Sequence, residues 1–259
     1  MPRIYLPALS VVDNRIVLAG EKAHYLFSVL RCKKGDELTI FDGKGYCFRT
    51  VIEKADKREV IAEVIGHFPC DSESPLHITL VQGLLKGEKM DWVVQKTTEL
   101  GVREIIPVIT ERSQVRETRK AARWRKIAEE ASRQSGRNIV PEVHEPVEFK
   151  QFLSACASVR QGDAEKRRSG DAKGFIFWED GGASFNVSIK KISVSPSYPF
   201  AGSPIHLLIG PEGGFTHEEV ALAEEKSFHV VSLGKRILRA ETAAISAVTL
   251  VQFLLGDMG

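Results

Sequence analysis

Leu207-Leu208-Ile209-Gly210-Pro211-Glu212-Gly213-Gly214-Phe215-Thr216-His217-Glu218-Glu219 carries three signals in thirteen residues. An apolar strand runs into a glycine-rich turn, and Thr216 with Glu219 three positions later writes a capping box that opens a helix. A strand, turn and helix in this order place the turn at the carboxyl end of a parallel strand, where open α/β sheets bind ligands. No Gly-Lys-Ser/Thr follows, and the Gly-x-Gly-x-x-Gly spacing is missing, so neither a Walker loop nor a dinucleotide loop is written here. The glycines would let a flat or extended ligand approach the backbone closely and use its N–H and C=O groups. The same glycines would also serve a ligand-free tight turn.

A second loop lies downstream. The strand HVVSLG ends at Gly234, and Lys235-Arg236-Ile237-Leu238-Arg239-Ala240-Glu241-Thr242-Ala243-Ala244 leads into a helix whose small residues allow close packing. If these two strands are neighbours, their loops form two walls of one pocket. Upstream, HITLVQGLL reads as a buried strand, and EKMDWVVQKTTEL puts Met90, Val93, Val94, Thr97 and Leu100 on one helical face, with Gly101 as its stop. EIIPVIT, a basic helix, IVPEV, FIFWED and IHLLIG continue the alternation, which predicts an α/β domain with a largely parallel sheet. The segments 160–174 and 181–204 read as surface excursions without a motif. Residues 1–72 differ: short β-branched and aromatic runs, with a hairpin turn at Asp42-Gly43-Lys44-Gly45 and a helical insert from about Glu21 to Leu30, predict a small antiparallel barrel or sandwich. The expected domains are therefore 1–72 and 73–259.

The 259 residues carry 36 basic and 34 acidic side chains, a net charge of +2 that by itself argues against a nucleic-acid partner. The distribution reverses that inference, because residues 112–137 hold nine basic and only three acidic side chains. At 3.6 residues per turn Trp124, Ile127, Ala128 and Ala131 share one face, while Arg119, Arg123, Lys126, Arg133 and Arg137 line the other. Such a stripe is a solvated helix face unless a site elsewhere calls for an anion-binding surface. Cys32, Cys47, Cys70 and Cys156 are too scattered for zinc spacing, and no metal site is expected. No apolar run is long enough to span a membrane, and Pro2, Pro7 and Asp13 interrupt the start where a signal peptide needs an apolar core, so a cytoplasmic location is expected.

IGPEGGFTHEEV and SLGKRILRAETA, taken with KGEKMDWVVQKTTELGVREIIPV, ITERS and EEASRQSGR, resemble the 16S ribosomal RNA uracil-N3 methyltransferase family of the SPOUT superfamily. RIYLP and HYLFSVLRCKKGDELTIFDGKG resemble that family's PUA-like RNA-binding domain. Ala240 and Tyr5 depart locally, standing where the family usually has Thr and commonly has Phe. The resemblance implies an N-terminal PUA-like β-barrel and a C-terminal α/β domain with a deep trefoil knot. It also implies S-adenosylmethionine bound in that knot. Matching positions then assign Leu208, Gly210, Glu212 and Gly213 to one cofactor wall, and Leu233, Gly234, Ile237, Leu238, Arg239, Thr242 and Ala243 to the other.

The implied reaction is methylation of N3 of a uridine in 16S rRNA, within the small ribosomal subunit or a late 30S precursor. N3 lies on the Watson–Crick edge, so the base must be unpaired or extruded, and a nearby cation would favour loss of its proton. Arg112 or Arg239 is the expected cation, and Glu111, Glu212 or Glu241 the expected proton acceptor. Each glutamate could equally brace a loop or a helix start. Arg3, Arg31, Lys33 and Lys34, with the basic helix, are expected to meet the RNA. SPOUT domains pair as homodimers, and the final helix, Thr242 to Leu255, is the expected interface. The rival readings are a non-enzymatic RNA-binding module and a SPOUT enzyme that modifies another RNA, such as tRNA.

Overall fold

The computed structural model describes residues 1–7, 9–43, 45–69, 72–162, 174–193 and 204–259. They form two compact units, Met1–Glu73 with Glu129–Val140, and Ser74–Ala128 with Pro141–Gly259.

The first unit is a five-stranded sheet of β1 (Arg3–Tyr5), β2 (Arg15–Ala19), β3 (Glu37–Phe41), β4 (Tyr46–Ala55) and β5 (Glu59–Pro69), in the order β1-β3-β4-β5-β2. In β2 exposed and buried residues alternate strictly, so Ile16 and Leu18 enter the core while Arg15 and Val17 face outward, as a half-buried strand requires. Ile4, Leu38, Ile40, Ile52, Val60 and Ala62 complete that core. The pairing is antiparallel except between β1 and β3, which run parallel. That exception to the expected antiparallel pattern is possible because β2 and the helical insert fill the connection from β1 to β3, giving it the length a crossover needs. The insert is α1 (Gly20–His24) followed by a π-helical turn, Tyr25–Val29, and buries Ala23 and Leu26. The expected hairpin joins β3 to β4; Lys44 in its turn lies outside the described residues.

The second unit is built on eight strands: β6 (Ile78–Gly83), β7 (Glu104–Ile109), β8 (Glu142–Val143), β9 (Val147–Glu148), β10 (Gly174–Phe177), β11 (Ala183–Ser184), β12 (Ile205–Ile209) and β13 (His229–Ser232). Every pairing among them is parallel, in the order β11-β13-β10-β12-β6-β7-β8, with β9 also on β7. All six residues of β6 are buried, the pattern of a central strand covered on both faces. Its helices are α2 (Lys89–Glu99), α3 (Ala121–Ser135), α4 (Phe149–Gly162), α5 (Phe185–Ser193), α6 (His217–Glu225) and α7 (Ala240–Leu255). The residues of α3 from Glu129 onward belong to the first unit.

Three features differ from the sequence expectation. First, α4 follows β9, its Phe149, Phe152 and Leu153 buried at i, i+3 and i+4 beside Leu208 and Phe215. Second, the segment 181–204 is not simply an excursion: β11 and α5 occupy its first part, with Phe185 and Ile189 buried four residues apart. Residues 163–173 and 194–203 lie outside the described residues, and so does Cys70. Third, β12 and β13 are not neighbours, because β10 pairs with both and lies between them. The pocket expected to have two walls therefore has a third, supplied by the residues that follow β10.

Candidate functional site

The glycine-rich turn after β12 is held from several sides. A Cβ at Gly210 would meet the Gly214 backbone at 3.0 Å, so the turn closes on itself. Gly214 has a φ of +68°, in the left-handed region that glycine enters without steric cost, and a Cβ there would lie 2.0 Å from Glu179 Oε1. Gln82 Nε2, wholly buried on β6, donates to the Gly210 carbonyl at 3.2 Å. Gly83, the last residue of β6, lets Pro211 approach, since a Cβ would stand 2.5 Å from the Pro211 nitrogen. On the other side Arg112 Nη1 donates to the carbonyls of Gly213, at 3.0 Å, and Phe215, at 3.3 Å.

Glu212 is pinned too. Its Oε1 accepts the Lys86 backbone N–H at 3.1 Å and the Lys89 ammonium at 2.9 Å, while Oε2 is buried without a hydrogen-bond partner. Burial pushes this carboxyl's pKa up, but Lys89 and backbone N–H groups outweigh it and hold the group below the usual carboxylate range. The capping box forms as written: Thr216 Oγ1 accepts the Glu219 N–H at 3.2 Å, and Glu219 Oε2 accepts the Thr216 N–H at 3.0 Å. Glu219 does more than cap, because its Oε1 also accepts the Glu111 N–H at 2.8 Å and so ties the loop after β7 to the start of α6.

The second wall is more open. Gly234 sits at φ +115°, Ile237 is 82% exposed, Leu233, Leu238 and Ala243 are half-buried, and Thr242 is exposed. Arg239 is the N-cap residue of α7 and is exposed. Glu241 in the first turn has a buried Oε2 without a hydrogen-bond partner. The third wall, which sequence reasoning missed, is Trp178-Glu179. The Trp178 backbone N–H donates to the Val231 carbonyl at 2.9 Å, the indole ring meets His217 edge-on at 4.9 Å, and the Glu179 carboxylate lies against Gly214. These contacts join the ends of β12, β10 and β13 into one edge. The strand order was the missing signal, since only the sheet reveals which loop lies between the other two.

Some assigned residues take other positions than expected. The Leu208 side chain is wholly buried in the core with Phe149 and Phe215, leaving only its backbone to face a ligand. Arg112 spends hydrogen bonds on bracing the turn, and Glu212 on Lys86 and Lys89. On the basic helix, Trp124, Ala128 and Ala131 are buried as the period predicts, and Arg123 and Lys126 are exposed. Arg119 lies before the helix, in an exposed loop position. The uniform stripe needs correction at its far end. Arg137 is 3% exposed and forms an ion pair with Glu73 at 2.8 Å, while Arg133 pairs with Glu130 and lies over the Tyr25 ring. A buried guanidinium needs a carboxylate, and Glu73 supplies one from the end of the first 73 residues, which helical periodicity cannot show. Arg3 is likewise half-buried, donating to the Arg137 carbonyl and Asn138 Oδ1. Arg31, Lys33 and Lys34 are exposed.

Comparison with known proteins defines the class. A family model described as an RNA methyltransferase domain matches residues 72–252, and one described as an RNA methyltransferase PUA domain matches residues 18–65. The ribosomal RNA small subunit methyltransferase E of Bacillus subtilis is 33% identical over 91% of this chain and 89% of its own length. The protein of the same name from Buchnera aphidicola is 32% identical over 99% and 95%. The crystal structure of a ribosomal RNA small subunit methyltransferase E from Neisseria gonorrhoeae bound to S-adenosyl methionine superposes with a TM-score of 0.82 at 35% identity, covering 100% of both chains. The chain belongs to the ribosomal RNA small subunit methyltransferase E family.

Proposed function

We propose that the protein transfers a methyl group from S-adenosylmethionine to N3 of one uridine in 16S rRNA, in the small subunit or a late 30S precursor. The observation that carries this reading is the edge formed by the ends of β12, β10 and β13, lined by close-approach glycines and backbone groups rather than by a phosphate loop. Such an edge suits the cofactor: its adenine asks for backbone partners and apolar contact, which Gly210, Gly213, Gly234, Ile237 and Leu238 offer, and Glu179 adds a carboxylate for its hydroxyls or its positive charge. When bound, S-adenosylmethionine supplies an electrophilic methyl group.

The chain's own residues do the rest. Arg112, Gln82 and Glu219 hold the turn in shape before substrate arrives. Arg239, free of ion pairs and hydrogen bonds from its guanidinium among the described residues, is the cation that favours the N3 anion; Arg112 serves as a brace. Glu241, with an unpartnered buried oxygen, is the proton acceptor that best fits, since Glu212 is already engaged. Supporting a trefoil knot, α7 packs on β12, β6 and α2 although β13, which precedes it, lies on the far side of β10.

Residues 1–72 act as the RNA-binding domain and 73–259 as the catalytic domain. Arg31, Lys33 and Lys34 serve RNA in the first, and Arg119, Arg123 and Lys126 in the second. A homodimer through α7 is supported by exposed apolar side chains on that helix, Leu250 and Phe253, and by Trp92 on α2. A cytoplasmic setting follows from the substrate; among the described residues no helix is long and apolar enough to cross a membrane. Mass-spectrometric mapping of methylated uridine in small-subunit RNA, from cells with and without the gene, tests the reaction. A methyl group that persists at every uridine N3 position without the gene would overturn it. Light scattering that gives a monomer would overturn the dimer.

A further inference from the structure

A cleft of about 540 Å³ opens beside the site, within the second unit. Ile109, the last residue of β7, and Pro146, just before β9, form its apolar part. Arg116, Glu117, Thr118 and Arg119 form its polar rim. Its volume falls within the roughly 300–1,000 Å³ in which proteins enclose small ligands. One short turn separates it from the glycine-rich edge. Within Thr110–Ser113 the Thr110 N–H donates to Ser113 Oγ at 2.9 Å, Glu111 is held by Glu219, and Arg112 holds the carbonyls of Gly213 and Phe215. On the cleft side Arg116 Nη2 donates to the Glu111 carbonyl at 2.9 Å, which fixes this arginine in place with its other nitrogens left over.

We propose that this cleft holds one nucleotide of the substrate strand, next to the methylated uridine; the inference rests on the RNA-methyltransferase reading above. The chemistry of the rim matches the parts of a nucleotide. Arg119 is exposed and has no carboxylate partner among the described residues, so with Arg116 it offers the paired guanidinium charge that a phosphate takes. Thr118 Oγ1 accepts the Lys120 N–H at 3.1 Å, which leaves its O–H to donate to a phosphate oxygen. Ile109 and Pro146 give a base ring an apolar seat. Glu117 is exposed and accepts the amino or imino hydrogens of a base edge, while Glu145 is occupied by Arg125 at 2.8 Å. The rim combines two arginines with the exposed Glu117 carboxylate, which suits a ligand that carries both a phosphate and hydrogen-bond donors. Splayed single-stranded bases are read in this manner, by stacking and by their edges.

The test uses full-length R119E, R119K and E117Q. It combines KM for small-subunit particles, affinity for a single-stranded RNA oligonucleotide spanning the target uridine at several salt concentrations, and calorimetric affinity for S-adenosylmethionine. R119E should lower RNA affinity about tenfold, the loss of one charge-assisted contact. It should also reduce the slope of log affinity against log salt by about 0.7, with cofactor affinity unaltered. R119K should restore the slope. E117Q should change the ranking of oligonucleotides that differ only in the bases flanking the uridine. Wild-type affinity and slope in R119E would overturn the proposal. So would a defect seen with whole particles and not with RNA, which would assign the cleft to a protein neighbour. If wild-type enzyme methylates no uridine N3, the functional reading falls and takes the subsite with it; if it methylates normally and R119E matches it throughout, only the subsite falls.

Discussion

Gly214 shows what one missing methyl group does. Its φ of +68° is a region that side chains rarely enter, and the space a Cβ would need is held by the Glu179 carboxylate. Gly214→Ala should therefore cost about 1 kcal/mol in backbone strain and displace Glu179 as well. The expected result is weakened S-adenosylmethionine binding in calorimetric titration. The double variant Gly214→Ala/Glu179→Ala should lose less than the sum of the singles, because removing the Glu179 carboxylate relieves the clash that the new Cβ makes. Arg137 shows the opposite case, a charged residue whose value is structural. Its guanidinium is bonded to Glu73, whose Oε1 also accepts the N–H groups of Asn138 and Ile139. Arg137→Ala leaves that carboxylate buried and unpaired, and chemical denaturation should show a loss of about 3 kcal/mol. A change within about 0.5 kcal/mol would return Arg137 to the solvated stripe.

At the scale of elements, the turn after β12 and the helix after β6 are coupled through charge. Glu212 anchors the turn to Lys86 and Lys89, and its folded-state pKa lies below its ordinary value of 4.5. A depressed carboxylate pKa contributes stability that is fully present above 4.5 and is lost as pH falls through the lower folded-state value. Unfolding free energy measured downward from pH 6 should thus fall on this acid limb, and Glu212→Gln should flatten it. At neutral pH the variant should lose about 1 kcal/mol or less, since Lys89 is partly solvated. An acid limb identical in Glu212→Gln and wild type would remove the anchor role. The helices carry a related lesson. α6 was legible because Thr216 and Glu219 write their capping box in sequence. α5 was not, because its nine residues are short for a periodic signal and begin a Ser- and Pro-rich stretch that reads as loop.

At the scale of the whole molecule, charge distribution outweighs charge total. The chain's +2 hides a basic segment, and Arg123 and Lys126 remain on its exposed surface after folding. Arg123 is also bonded to Asp91, so its field is partly spent, whereas no described partner engages Lys126. Arg123→Glu with Lys126→Glu should weaken binding to the small-subunit substrate and make its salt dependence shallower, by roughly 0.7 in log–log slope for each phosphate contact removed. Unchanged affinity would leave this part of the helix as a solvated face.

Sequence alone determined the elements whose cause is local. Hydrophobic period set β6, β12 and the buried face of α3, the capping box set the start of α6, and the two glycine-rich loops marked two walls of the candidate site. Each of these signals is carried by residues within a few positions of one another. Only the tertiary structure decided what depends on distant neighbours. It placed β10 between β12 and β13 and so brought Glu179 against Gly214. It drew Arg137 to Glu73 and turned Arg112 from a free cation into a brace for the turn. Strand order is settled by which apolar faces bury one another, and a buried charge by which counter-charge the fold delivers to it. Neither leaves a periodic trace in the chain.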